Sequence, residues 1–180
     1  MPIYIAMLRG INVSGQKLIK MERLRASIED LGFDEVQTYI QSGNVVFKTA
    51  NQSADKLAKK IADKILSEFG FVVAVLIRTA DETAAVVRGN SFLKETGSDE
   101  SKFYVTFLSE NAPPAAEKTL AVLATESERF KVCGREIYLC FPDGSGKTKL
   151  SNSAIEKKLS LQATTRNWKT LNTLLAMAQS

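Results

Sequence analysis

Four short runs hold the side chains best suited to chemistry. The first is Arg9-Gly10-Ile11-Asn12-Val13-Ser14-Gly15-Gln16-Lys17. Arg9, Asn12 and Lys17 supply hydrogen-bond donors, Gly10 and Gly15 permit unusual backbone angles, and no acid competes for the cations. That is the chemistry of holding an anion; the plainer reading is a long connection with glycine turns and solvated cations. The second run, Gln41-Ser42-Gly43-Asn44, offers Ser42 and Asn44 next to ordinary hairpin-turn residues. The third, Gly144-Ser145-Gly146-Lys147-Thr148, resembles a phosphate loop. A Walker sequence needs glycine where Phe141 stands, so triphosphate hydrolysis is rejected and only a flexible linker presenting Lys147 survives. The fourth, Thr164-Thr165-Arg166-Asn167-Trp168, reads as the start of a helix. There Arg166 would oppose the macrodipole unless it met a carboxylate or a bound anion.

Composition removes other chemistries. The 180 residues contain no histidine, which excludes an imidazole base, a Ser-His or Cys-His nucleophile pair and any histidine metal site. Cys133 and Cys140 fall in an expected hairpin turning at Gly134-Arg135. Cys133 then faces Glu136, and Cys140 lies roughly 13 Å further along the strand, out of disulfide reach. They read as reduced thiols. No cofactor is implied. The formal charge of +4 is too small to imply nucleic acid by itself. Its distribution says more: between residues 9 and 25, Arg9, Lys17, Lys20, Arg23 and Arg25 oppose Glu22 alone. Between residues 145 and 180 six cations oppose Glu156 alone.

The elements that must position these runs follow from hydrophobic periodicity. Ile3 to Leu8 is a nearly continuous apolar strand, too short for a signal peptide or membrane span, so a cytoplasmic location without membrane contact is expected. Met21, Leu24, Ile28 and Leu31 recur at helical spacing before Gly32. Val36 to Gln41 and Val45 to Phe47 form a hairpin around Ser42-Gly43-Asn44. Ser53 caps a helix carrying Leu57, Ile61 and Ile65, and Phe71 to Ile77 is another strand. The order βαββαβ is that of a ferredoxin-like half, with helices on one face of an antiparallel sheet. A helix from Asp81 to Arg88 and a polar stretch from Asn90 to Ser101 then connect to a second βαββ series. That series opens with Lys102 to Leu108 and includes the cysteine hairpin. Ser153 with Glu156 predicts a capping box, and Thr165 predicts the start of a last helix bearing Trp168, Leu171 and Leu175. The expectation is an α+β duplication: residues 1–78 as the first half, 79–101 as connector, and 102–180 as a second half ending in two helices instead of a fourth strand.

The runs Leu8-Arg9-Gly10-Ile11-Asn12-Val13 through Lys17, Leu31-Gly32-Phe33, Thr38-Tyr39-Ile40-Gln41-Ser42-Gly43-Asn44-Val45-Val46-Phe47, and Thr164-Thr165-Arg166-Asn167-Trp168 with Thr170 resemble a bacterial family known as domain of unknown function 1697. The resemblance spans nearly the whole chain and implies a duplicated ferredoxin-like fold in a cytoplasmic bacterial protein. It implies no activity. Ser14 departs from the glycine found there in many members.

The functional expectation is a cleft for a phosphate-bearing small molecule or nucleic acid, lined by Arg9, Gly10, Asn12, Lys17, Ser42, Asn44, Lys147, Arg166 and Asn167. A second reading is an enzyme that uses Lys17 or Lys147 as acid, base or electrostatic clamp, with Ser42 or Tyr39 as partner. A third is a protein-interaction module, signalled by an apolar surface patch. Oligomeric state is not indicated.

Overall fold

The apolar run at the N-terminus becomes β1 (Ile3–Leu8), buried along nearly its full length. A computed structural model describes residues 1–95 and 97–180. In the first half β1 leads to α1 (Met21–Glu29), β2 (Asp34–Tyr39), β3 (Asn44–Lys48), α2 (Ala54–Phe69), β4 (Val75–Thr79) and α3 (Ala80–Arg88). The second half contains β5 (Phe103–Leu108), α4 (Ala116–Ala121), β6 (Arg129–Cys133), β7 (Glu136–Cys140), α5 (Asn152–Leu159), β8 (Ala163–Asn167) and α6 (Trp168–Gln179). Two single turns of 3-10 helix, at Ser91–Lys94 and Glu100–Lys102, lie within the polar stretch before β5.

The chain divides into two compact units, residues 1–85 with 173–180, and residues 86–172. In the first unit the sheet order is β2-β3-β1-β4 and every pairing is antiparallel. Because strand side chains alternate, Tyr4, Ala6 and Leu8 share a face with Val45, Phe47, Val75 and Ile77. Leu24 and Ile28 of α1 and Leu57, Ile61 and Ile65 of α2 join that face to form one core. The four-residue repeat of α2 therefore does what its spacing predicts, with Ser53 accepting from the Lys56 N–H and Gly70 closing the helix at φ 75°. Ile5, Met7, Val46 and Leu76 on the other face are also buried, as a continuous apolar strand implies.

The second unit repeats the plan, in the order β6-β7-β5-β8. Leu108, Ile137, Leu139 and Ala163 pack with Leu120, Ile155 and Leu159 from the helices. The registers match strand for strand: Ile5 faces Val46 and Arg78, and Val105 faces Tyr138 and Arg166. The expectation that this half lacks a fourth strand is overturned by β8, whose Ala163 to Asn167 pair with Leu108 to Tyr104. Two threonines with an arginine and an asparagine look polar enough for a helix start. In place they alternate between buried and more exposed positions along a sheet edge. The capping box placed at Ser153 is also corrected. Ser151 caps α5 by accepting from the Ala154 N–H, while the Glu156 carboxylate accepts from the Ala163 N–H.

Candidate functional site

The Arg9 to Lys17 run is a loop leaving the end of β1, and hydrogen bonds tie it to two neighbouring segments. The Leu8 and Arg9 N–H groups donate to the Gly43 and Ala74 carbonyls, so the loop starts between the β2–β3 turn and the entry to β4. Asn12 then acts as a staple. Its Nδ2 donates to the carbonyls of Ile19 (3.0 Å) and Gln41 (2.9 Å), and its Oδ1 accepts from the Ile19 N–H at 2.8 Å. Asparagine suits this position because it tolerates φ 54° better than most side chains. Lys17 Nζ donates to the Val72 carbonyl at 2.9 Å. Gly43 is required sterically: at φ 86° a Cβ there would lie 2.5 Å from Ile11 Cδ1.

Beside this staple is a hollow of about 790 Å³ lined by Asn12, Leu18, Ile19, Lys20, Met21, Glu22, Arg23 and Gln41. Lys20 to Arg23 are the N-cap and first turn of α1. Lys20 makes no side-chain cap, so the first-turn N–H groups lack the acceptor that serine or aspartate would bring. Two cations, an uncapped helix start and the Gln41 amide thus border one concavity, with Glu22 as its single acid. Arg23 also lies over the Phe69 ring, 4.9 Å from its centroid, which steadies the guanidinium.

The structure brings Arg9, Gly10, Asn12, Lys17, Ser42 and Asn44 to one edge of the first unit. Asn12, Lys17, Ser42 and Asn44 also hydrogen-bond within the unit. Asn44 is fully buried and donates to the Tyr39 carbonyl and Ser42 Oγ, holding the turn. Lys20, Arg23 and Gln41 line the hollow, although sequence reasoning singled out neither Lys20 nor Arg23 as a contact. Their signal was the charge bias of residues 9 to 25, which points to a region but not to side chains.

Lys147, Arg166 and Asn167 belong to the second unit. Lys147 is exposed in the turn after β7. Arg166 is not in the first turn of a helix: it lies in β8, 6% exposed, and its Nη1 donates to Thr164 Oγ1 (2.7 Å) and the Thr165 carbonyl (3.0 Å). Burial pushes its pKa down to about 10, so the guanidinium remains charged at neutral pH. Asn167 caps α6, its Oδ1 accepting from the Thr170 N–H at 2.8 Å. A residue that went unremarked in the sequence, Arg78, occupies the equivalent place in β4, is also buried, and donates to the Ile77 carbonyl. Each unit therefore carries one buried arginine one residue before the end of its last strand.

In the cysteine hairpin Cys133 faces Glu136 and Cys140 faces Arg129, and both thiols are free. Among the described residues no cluster of three Cys, Asp or Glu could hold a metal ion.

A family model described as "Protein of unknown function (DUF1697)" matches residues 1–138. The chain belongs to this family. No curated protein matches. Among solved structures, a conserved bacterial protein from Streptococcus pneumoniae is similar over 98% of both chains, with a TM-score of 0.71 and 22% sequence identity. At that identity the likeness concerns the fold, and it agrees with the α+β architecture of two four-stranded antiparallel sheets. Among the described residues, no helix is long and apolar enough to cross a membrane.

Proposed function

We propose that this DUF1697 protein binds a phosphate-bearing small molecule in the hollow beside α1, with Lys20 and Arg23 as the charge contacts. The observation that carries the reading is the placing of both cations at the start of α1, Lys20 at its N-cap and Arg23 in its first turn, beside a concavity of about 790 Å³. That volume falls within the range of small-molecule sites. An anionic oxygen there meets the ammonium, the guanidinium and outward-facing backbone N–H groups together. Leu18, Ile19 and Met21 add apolar lining for the remainder of the ligand. Asn12 and Gly43 serve the site from behind, one by stapling its wall and the other by letting the turn approach Ile11. Lys17 is committed to the Val72 carbonyl, which favours a positioning role over acid–base work.

Calorimetric titration with adenosine monophosphate and inorganic phosphate tests this reading. Lys20→Ala and Arg23→Gln should each weaken binding by about 1 kcal/mol, several-fold, since both side chains are solvent-exposed. Changed together, two contacts to one ligand should depart from additivity. No measurable binding of either ligand to the unaltered protein would end the proposal.

A further inference from the structure

Val13, Leu18, Ile40 and Val72 are 56%, 64%, 45% and 75% exposed. Single exposed aliphatics are ordinary on protein surfaces. These four, however, sit on three segments that hydrogen bonds draw together at one edge of the unit, the end of the sheet where β1 finishes and β4 begins: the Arg9 to Lys17 loop with its continuation, the β2–β3 turn and the entry to β4. Ile40 is the most telling. It adopts φ 50°, a left-handed conformation that costs a β-branched residue dearly, and it is left 45% exposed. Glycine or asparagine would make the same turn without strain. Isoleucine adds an unfavourable backbone, and nearly half of its surface remains exposed to water.

The surroundings state the partner's charge. Lys17 donates to the Val72 carbonyl and Arg25 pairs with Glu29, which leaves Lys20 and Arg23 as the cations beside the hollow. Lys20 and Arg23 line the hollow that Leu18 also lines. We infer that this edge docks an acidic, aliphatic-bearing segment of a partner protein. Its carboxylates meet Lys20 and Arg23, and its apolar side chains pack on Leu18, Ile40, Val13 and Val72. The concavity favours a chain segment over a lipid surface, because a bilayer is flat on this scale and leaves a hollow unfilled. The inference deepens the anion-binding reading and rests on the same cationic hollow.

Fluorescence anisotropy with synthetic peptides tests it on the full chain. One peptide carries interspersed glutamate and leucine, and a second replaces every leucine with serine. Anionic phosphatidylglycerol vesicles and adenosine monophosphate are run in parallel. The glutamate–leucine peptide should bind at least about tenfold tighter than the glutamate–serine peptide. Ile40→Asn and Leu18→Ser should each abolish most of that advantage, while Val122→Ser, at an exposed aliphatic of the second unit, changes nothing. The thermal midpoint of Ile40→Asn should equal or exceed that of the unaltered protein, which separates lost docking from lost folding. Equal affinity for the two peptides, or stronger binding to vesicles, overturns the inference. Nucleotide binding without peptide binding sinks the docking surface alone. Peptide binding without nucleotide binding sinks the phosphate reading alone.

Discussion

At the residue scale, side chains that look like ligand contacts in a one-dimensional reading are largely consumed by holding backbone in place. Asn12 spends both amide hydrogens and a carbonyl lone pair on the loop and the turn, and the Asn44 amide donates to the Tyr39 carbonyl and Ser42 Oγ one strand away. Gly43→Ala should show how tightly that arrangement is built. The new methyl meets Ile11 Cδ1 at 2.5 Å while the backbone remains at φ 86°, so a loss of roughly 2 kcal/mol is expected in urea unfolding. A loss below about 0.5 kcal/mol would mean that Ile11 swings aside freely. In the second unit Tyr138 donates to the Val86 carbonyl at 2.7 Å. Burial foremost, then the charges of Cys133 and Glu136, push its pKa up to about 12. The folded state therefore holds the phenolic proton more tightly than the unfolded chain. That stability is fully present below the ordinary tyrosine value near 10 and is lost as pH rises from about 10 toward about 12. Tyr138→Phe should be the less stable protein at neutral pH, because a buried carbonyl loses its donor. The gap between the two thermal midpoints should then close above about pH 10. A gap that stays constant would contradict the shift. Comparing the two proteins at each pH cancels the titration of Arg166, which works in the opposite direction.

At the element scale, the strand-to-helix junctions are the recurring device. β4 runs into α3 with Thr79 Oγ1 accepting from the Glu82 N–H, and β8 runs into α6 with Asn167 Oδ1 accepting from the Thr170 N–H. Thr79 and Asn167 hold equivalent registers, opposite Tyr4 and Tyr104. Loss of the cap in Asn167→Ala should cost about 1 kcal/mol. One residue on, Trp168 is 4% exposed and meets Phe103 edge to face with ring centroids 6.5 Å apart. Trp168→Ala should accordingly cost roughly 3 to 5 kcal/mol in chemical denaturation. The burial of the indole also removes it from the aromatic side chains available to stack on nucleic-acid bases.

At the scale of the whole molecule, the net charge divides evenly between the halves of the sequence, at 12 basic and 10 acidic residues apiece, so any electrostatic preference must be local. Lys20 and Arg23 bordering the hollow supply two such charges. If they alone neutralise phosphates, binding of a single-stranded oligonucleotide should fall with salt at a log–log slope near about −1.4. A slope steeper than roughly −3 would require a cationic track far longer than the hollow and would favour nucleic acid over a small ligand.

What the sequence determined by itself was whatever depends on neighbours in the chain. The period-2 and period-3.6 patterns placed β1, α1, β3 and α2, Ser53 announced its cap, and Gly134-Arg135 set the register that parts Cys133 from Cys140. Even the duplicated α+β plan was legible, because it follows from element order and hairpin turns. Tertiary structure alone decided three things. β8 became a strand because β5 offers it a ladder, which overrides a polar run that reads as a helix start. Ile40, β-branched and strand-like, was drawn into a left-handed turn position between β2 and β3. Lys20 and Arg23 became the cations of a hollow only because Asn12 draws Gln41 up to the first turn of α1. Which side chains border a concavity depends on contacts between segments distant in sequence, and no local periodicity encodes such contacts.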